Sequence, residues 1–207
     1  MPKPAINPRK RPRQTRSAAT FDLVLEAAAR ILERGGLAAF NTNAIAERAG
    51  ISIGSLYQYF PTKEAILAEL IRRKRNILLG HMQTAAQQGQ SARLAPAIDA
   101  LIDAGIAHQL SRPNLARSLE YAESLLPITT ETETLKQQIV HAIASVLAAH
   151  GIADPALAAR DLAALTRGMI DSAGLFGETD AASLRNRVRR AVFGYLGIPQ
   201  GKRRQAV

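Results

Sequence analysis

Apolar positions recur at spacings of three, four and seven from Phe21 to Leu196, and no alternating run of useful length interrupts them. Such spacing lines one face of a helix, where a strand would need a period of two. The pattern predicts an all-α chain of about nine helices. In the first, Phe21, Val24, Leu25, Ala28, Ile31 and Leu32 share a face, Asp22, Glu26, Arg30 and Glu33 lie around the rest, and Gly35 with Gly36 supplies the stop. Two short helices follow, Thr42 to Ala49 and Ser52 to Tyr59, hinged at Gly50. Pro61 and Thr62 precede a long helix from Lys63 to about Met82.

Beyond Met82 the helix starts are read from caps and prolines, which satisfy or remove the unpaired N–H groups of a first turn. Ser91 opens a helix reaching Leu110, Pro113 one reaching Leu126, and Thr130 one that ends before Gly151. Asp154 and Pro155 begin a helix to Phe176, and Asp180 caps a last one, which Gly197 closes.

Composition supports this reading: alanine contributes 38 residues and leucine 24, with no Trp. Cysteine is absent, which removes disulfides, thiolate metal sites and cysteine nucleophiles. The four histidines, His81, His108, His141 and His150, lie on separate helices or their ends, without HxxxH or ExxH spacing for a metal. With no strand there is no phosphate loop of the strand–glycine–helix kind. Asp99 with Asp103 and Glu120 with Glu123 are carboxylate pairs of the sort that usually face solvent. The chain reads as a non-enzyme with no cofactor and no metal. Uncharged stretches are interrupted by Gln and His, so no membrane span is expected, and without a signal segment the expected location is cytoplasmic.

Net charge is +10, and its distribution is uneven. Residues 1–80 hold 14 basic and 6 acidic side chains, and residues 81–207 hold 13 and 11. The N-terminal excess points to an anionic partner. Lys3, Arg9, Lys10, Arg11, Arg13 and Arg16 form a basic, mobile arm over residues 1–20, for which two readings stand: a DNA-contacting arm or a solubilising tail. Arg72 to Arg75 are four consecutive cations, expected as a solvated collar, and Lys202 to Arg204 as a solubilising tail over residues 199–207.

Between Thr42 and Phe60 the positions fit a helix-turn-helix. With Thr42 as the first, Ile45 and Ala46 stand fourth and fifth, Gly50 ninth, Ile51 tenth, Leu56 fifteenth and Tyr59 eighteenth. Ala46 is small where the second helix crosses, and Gly50 suits the left-handed turn. Ser52 caps the second helix, Gly54 lets backbone approach a duplex, and Ser55 and Gln58 face away from Leu56 toward base edges. A Gln amide can pair with adenine through two hydrogen bonds. Ile53 suits a thymine methyl, while Tyr57, Tyr59 and Lys63 offer phosphate contacts.

Ala27-Ala28, Gly35-Gly36, Thr42, Ile45-Ala46, Ala49-Gly50-Ile51-Ser52, Gly54 through Phe60 and Lys63 through Leu67 together resemble the DNA-binding domain of TetR-like (tetracycline-repressor-like) transcriptional regulators. The resemblance covers residues 20–70. It implies an N-terminal three-helix domain, residues 21–67, joined by a long helix to a C-terminal effector and dimerisation domain, residues 68–198. It also implies that Thr42 caps its helix and touches the DNA backbone. The function implied is a sequence-specific repressor, released from a palindromic operator by a small-molecule effector. The rivals are a sequence-tolerant DNA-coating protein and a helical enzyme or carrier with a relict motif.

In such regulators the last two helices of each subunit form a homodimer bundle. Here that assigns Leu165, Gly168 and Ser172 of the penultimate helix, with Leu184, Val188, Ala191, Val192 and Tyr195 of the last, to the dimer interface. His81, Met82, His108, Tyr121, Met169 and Phe176 are the candidate effector-pocket residues, large or polar groups on helices otherwise rich in Ala and Leu. The aliphatic surroundings favour an apolar effector.

Overall fold

The computed structural model describes residues 5–9 and 15–199. Lys3, Lys10, Arg11 and Arg13 of the expected arm, the side chain of Arg16 and the expected tail from Gly201 lie outside the described residues. Among those described there are nine α-helices and no strand: α1 (Thr15–Gly35), α2 (Thr42–Ala49), α3 (Ile53–Tyr59), α4 (Lys63–Gly89), α5 (Leu94–Leu110), α6 (Pro113–Leu125), α7 (Thr129–Ala149), α8 (Pro155–Leu175) and α9 (Ala181–Tyr195). The expected arm is shorter than 20 residues, because α1 already begins at Thr15. α4 runs to Gly89 rather than Met82, its extra turns burying Ala85 and Ala86.

The chain forms two compact units, residues 1–77 with 112–135, and residues 78–111 with 136–207. This division differs from the one expected at residue 67, since α6 and the start of α7 join the first unit. In that unit the predicted face of α1 is buried, with Val24, Leu25, Ala28 and Leu32 packed in one core with Ile45, Leu56, Phe60 and Ile66. Leu115, Leu119 and Ala122 of α6 complete the same core. Arg112, just before α6, fixes α6 to α1 by hydrogen bonds to Glu33 (2.5 and 3.0 Å) and Glu26 (3.0 Å). Those bonds hold the Glu33 carboxyl below the usual glutamate range.

The second unit is a separate core of Met82, Ile98, Leu101, Ile102, Val146, Leu147, Leu162, Leu184, Val188, Val192 and Phe193. α5, α8 and α9 pack against one another in it. The expected Asp caps are present: Asp154 Oδ1 accepts from Leu157 N at 3.1 Å and Asp180 Oδ1 from Ser183 N at 2.9 Å. α5 starts at Leu94 rather than Ser91 and has no side-chain cap. At the end of α7 both ring nitrogens of His150 face carbonyl oxygens, Nδ1 that of Val146 at 2.8 Å and Nε2 that of Ala92 at 2.9 Å. Only the protonated ring donates from both, and these two bonds raise its pKa above the ordinary histidine value.

Candidate nucleic-acid interface

α2 and α3 are short helices that acquire their orientation from what lies under them. Ile45, Ala46 and Leu56 are buried in the first unit's core, and Gly50 between the helices takes φ 66°, a left-handed conformation that would strain any side-chain-bearing residue. α2 is capped by Asn41, whose Oδ1 accepts from Ala44 N at 2.9 Å. Thr42 is therefore the first helical residue and not the cap implied by the family resemblance. Its hydroxyl instead pairs with Tyr57 Oη at 3.2 Å, tying α2 to α3.

Ser52 caps α3 as expected, accepting from Ser55 N at 3.1 Å. Leu56 and Phe60 bury one side of α3, and Ile53, Gly54, Tyr57 and Gln58 are exposed on the other. A Cβ added at Gly54 would meet only the Ser52 hydroxyl, at 3.8 Å, so the backbone there is open to close approach. Lys63, opening α4, is exposed.

Two expected contacts are half-buried rather than exposed. Ser55 is half-buried and its hydroxyl is paired with that of Ser52 at 2.9 Å, so it is less open to a duplex than Gln58, one turn further along. Tyr59 is half-buried with its ring edge-on to Phe21, centroids 6.3 Å apart, so it braces α3 on α1 while Tyr57 stays outward. The cations of Arg72 to Arg75 are only in part the expected solvated collar: Arg73 is exposed and pairs with the likewise exposed Asp22 (2.7 Å), whereas Arg72 is buried and pairs with Glu131 (2.6 Å), and the half-buried Lys74 and Arg75 pair with Glu120 (3.6 Å) and Glu123 (2.6 Å). Arg72 is only 8% exposed, and its bonds to Glu131 keep the guanidinium charged.

The expected effector residues are divided between the two units. Tyr121, 64% exposed, belongs to the first unit, whereas the other five belong to the second. There His81 is exposed, Met82 is core, His108 is half-buried and Phe176 is 82% exposed. Met169 and Phe176 do meet, in an open groove of about 520 Å³ along α8 that is also lined by Leu165, Gly168 and Ser172. Residues expected to hold an effector and to hold a second subunit thus share one surface.

Three of the expected interface residues, Leu184, Val188 and Val192, are buried in the core of this chain; of the other two expected on α9, Ala191 is half-buried and Tyr195 exposed. Tyr195 Oη donates to Asp161 at 2.7 Å. The exposed stripe lies instead on α8, where Leu157, Ala164, Gly168, Ser172 and Leu175 follow steps of seven, four, four and three. Leu157 and Leu175 were not among the expected residues, although this spacing was present in the sequence to be read.

Residues 24–70 match the family described as bacterial regulatory proteins, tetR family, and residues 94–196 match the tetracyclin repressor-like C-terminal domain. A curated relative, the HTH-type transcriptional repressor KstR of Mycolicibacterium smegmatis, is 39% identical over 51 residues, 25% of this chain and 25% of that protein. The matched part thus spans about a quarter of the relative's length. Among solved structures, FadR from Bacillus subtilis in complex with stearoyl-CoA superposes with TM-score 0.71 at 18% identity, covering 87% of this chain and 100% of that one. A TetR transcription regulator from Haloarcula marismortui gives TM-score 0.71 at 17% identity, covering 87% and 97%. At these identities the likeness establishes the fold.

Proposed function

Because this chain belongs to the tetR family of bacterial regulators, we propose that it is a sequence-specific transcriptional repressor that binds a palindromic operator as a homodimer and leaves it when a small molecule binds. The observation that carries the reading is the outward face of α3. Ile53, Gly54, Tyr57 and Gln58 stand exposed on a capped helix whose other side is anchored by the buried Leu56. A helix so fixed can enter a major groove, Gln58 reading a base edge, Ile53 a thymine methyl, and Tyr57 and Lys63 touching phosphates.

Two half-sites require two copies, and the apolar and small stripe of α8 is the surface on which a second copy fits. The second unit then takes the effector. Its core is built largely of Ala, Leu and Ile, which suits an apolar ligand or the acyl chain of an amphipathic one, and the FadR fold neighbour is in complex with stearoyl-CoA, which carries such a chain. Release needs only that the effector prefer the conformation that does not fit the operator, typically by about 1–3 kcal/mol. Selection of bound duplexes from a random pool by the full chain tests the reading, which expects an enriched sequence with two-fold symmetry. Equal affinity for a scrambled duplex would leave the DNA-coating alternative.

A further inference from the structure

The N-terminal segment, expected as a mobile arm, is tied down over residues 5–9. The Ala5 carbonyl accepts from Thr62 Oγ1 at 2.7 Å. Ile6 packs on the first unit's core, and its carbonyl accepts from Arg72 Nη1 at 3.0 Å. Asn7 Oδ1 accepts from Arg72 Nη2 at 2.8 Å, and the Arg9 backbone N–H donates to the Tyr59 carbonyl at 2.8 Å. Arg72 is held in turn by donating to the Glu131 carboxylate at 2.6 and 3.0 Å and, through Nη1, to Glu69 at 3.4 Å, with Nη1 and Nη2 also reaching the segment.

The last of these anchors falls on the final residue of α3, four positions before the exposed Lys63. The backbone of Arg9 is thereby fixed beside the end of the helix proposed to read DNA, with its side chain exposed, in a stretch with no acidic residue before Asp22. We propose that this strap is a second DNA-contacting element: Arg9 binds a backbone phosphate flanking the groove that α3 enters, and Arg72 is its positioning residue. The inference rests on the DNA-binding reading above. Ordering the strap before binding spares the entropy that a free arm would lose on the duplex. A phosphate contact of this kind adds affinity and register without reading sequence.

The test uses the full chain and duplexes that the wild type recovers from a random-sequence pool, with Kd measured across a series of KCl concentrations. Arg9→Ala is expected to weaken all duplexes alike, several-fold, and to lower the salt slope by about one. Asn7→Ala, which removes the side-chain acceptor for Arg72, is expected to lower the slope in the same direction, and the double variant to match Arg9→Ala alone. Unchanged melting temperatures would exclude a general loss of structure. A wild-type slope for Arg9→Ala, with Lys63→Ala still lowering it, overturns the strap contact and leaves the DNA reading intact. Independent, additive losses overturn the positioning role. A wild type that recovers no duplex overturns the DNA-binding reading itself.

Discussion

At the scale of the residue, the exposed part of α3 divides into groups that can read bases and groups that can only hold the backbone. Gln58 carries a donor and an acceptor in one plane, so Gln58→Ala should lose roughly 1–3 kcal/mol at particular base pairs, seen as a flattened preference in the selected pool. Lys63 is a point charge, and Lys63→Ala should weaken every duplex alike and lower the salt slope by about one. Leu56 is wholly buried in the first unit's core, and Leu56→Ala should destabilise the chain by about 2–5 kcal/mol in thermal or urea unfolding. The capping of α2 shows how closely neighbouring polar residues compete: Asn41 takes the cap, and Thr42 is left to tie the helix to Tyr57.

At the scale of the element, charged groups fix helix ends in ways that pH can probe. His150 gains two acceptors at the end of α7, which raises its folded pKa. Its contribution to stability is present in full below the unfolded value of about 6.5 and disappears as pH rises through the higher folded value. The melting-temperature gap between wild type and His150→Ala should therefore narrow as pH is raised through and above neutrality. Glu33 runs the other way. Held low by Arg112, it stabilises the packing of α6 on α1 above the usual glutamate range and loses that contribution as pH falls through its depressed folded value. The gap between wild type and Glu33→Gln should close in acid.

At the scale of the whole molecule, the proposed homodimer depends on what α8 leaves uncovered. Leu184, Val188 and Val192 are spent on the second unit's own core, whereas Leu157, Gly168, Ser172 and Leu175 remain exposed. Gly168 has nothing within 4 Å of where a Cβ would stand, so Gly168→Arg should leave the monomer's melting temperature nearly unchanged. If α8 is the contact, sedimentation should show monomer for this variant and dimer for wild type, with operator affinity falling accordingly. A dimeric Gly168→Arg would place the contact elsewhere.

The sequence alone determined the elements and the motif, because both are local. Periodic apolar residues, caps and a hinge glycine act within a few positions of one another, and they located the helices to within a few residues, together with the helix-turn-helix from Thr42 to Tyr59. The starts of α1 and α5 and the end of α4 escaped; burial of Ala85 and Ala86, not a cap, extends α4. Only the tertiary structure decided which of two apolar faces of α8 and α9 is used inside the chain, that Tyr59 leans on Phe21 while Tyr57 faces out, and that Arg72 is buried between Glu131 and the N-terminal strap. Glu131 and Asn7 lie 59 and 65 residues from Arg72, so no pattern along the chain announces the pairing. Of four consecutive cations that look alike along the chain, Arg73 stays exposed and Arg72 is buried, because distant residues fold against the latter.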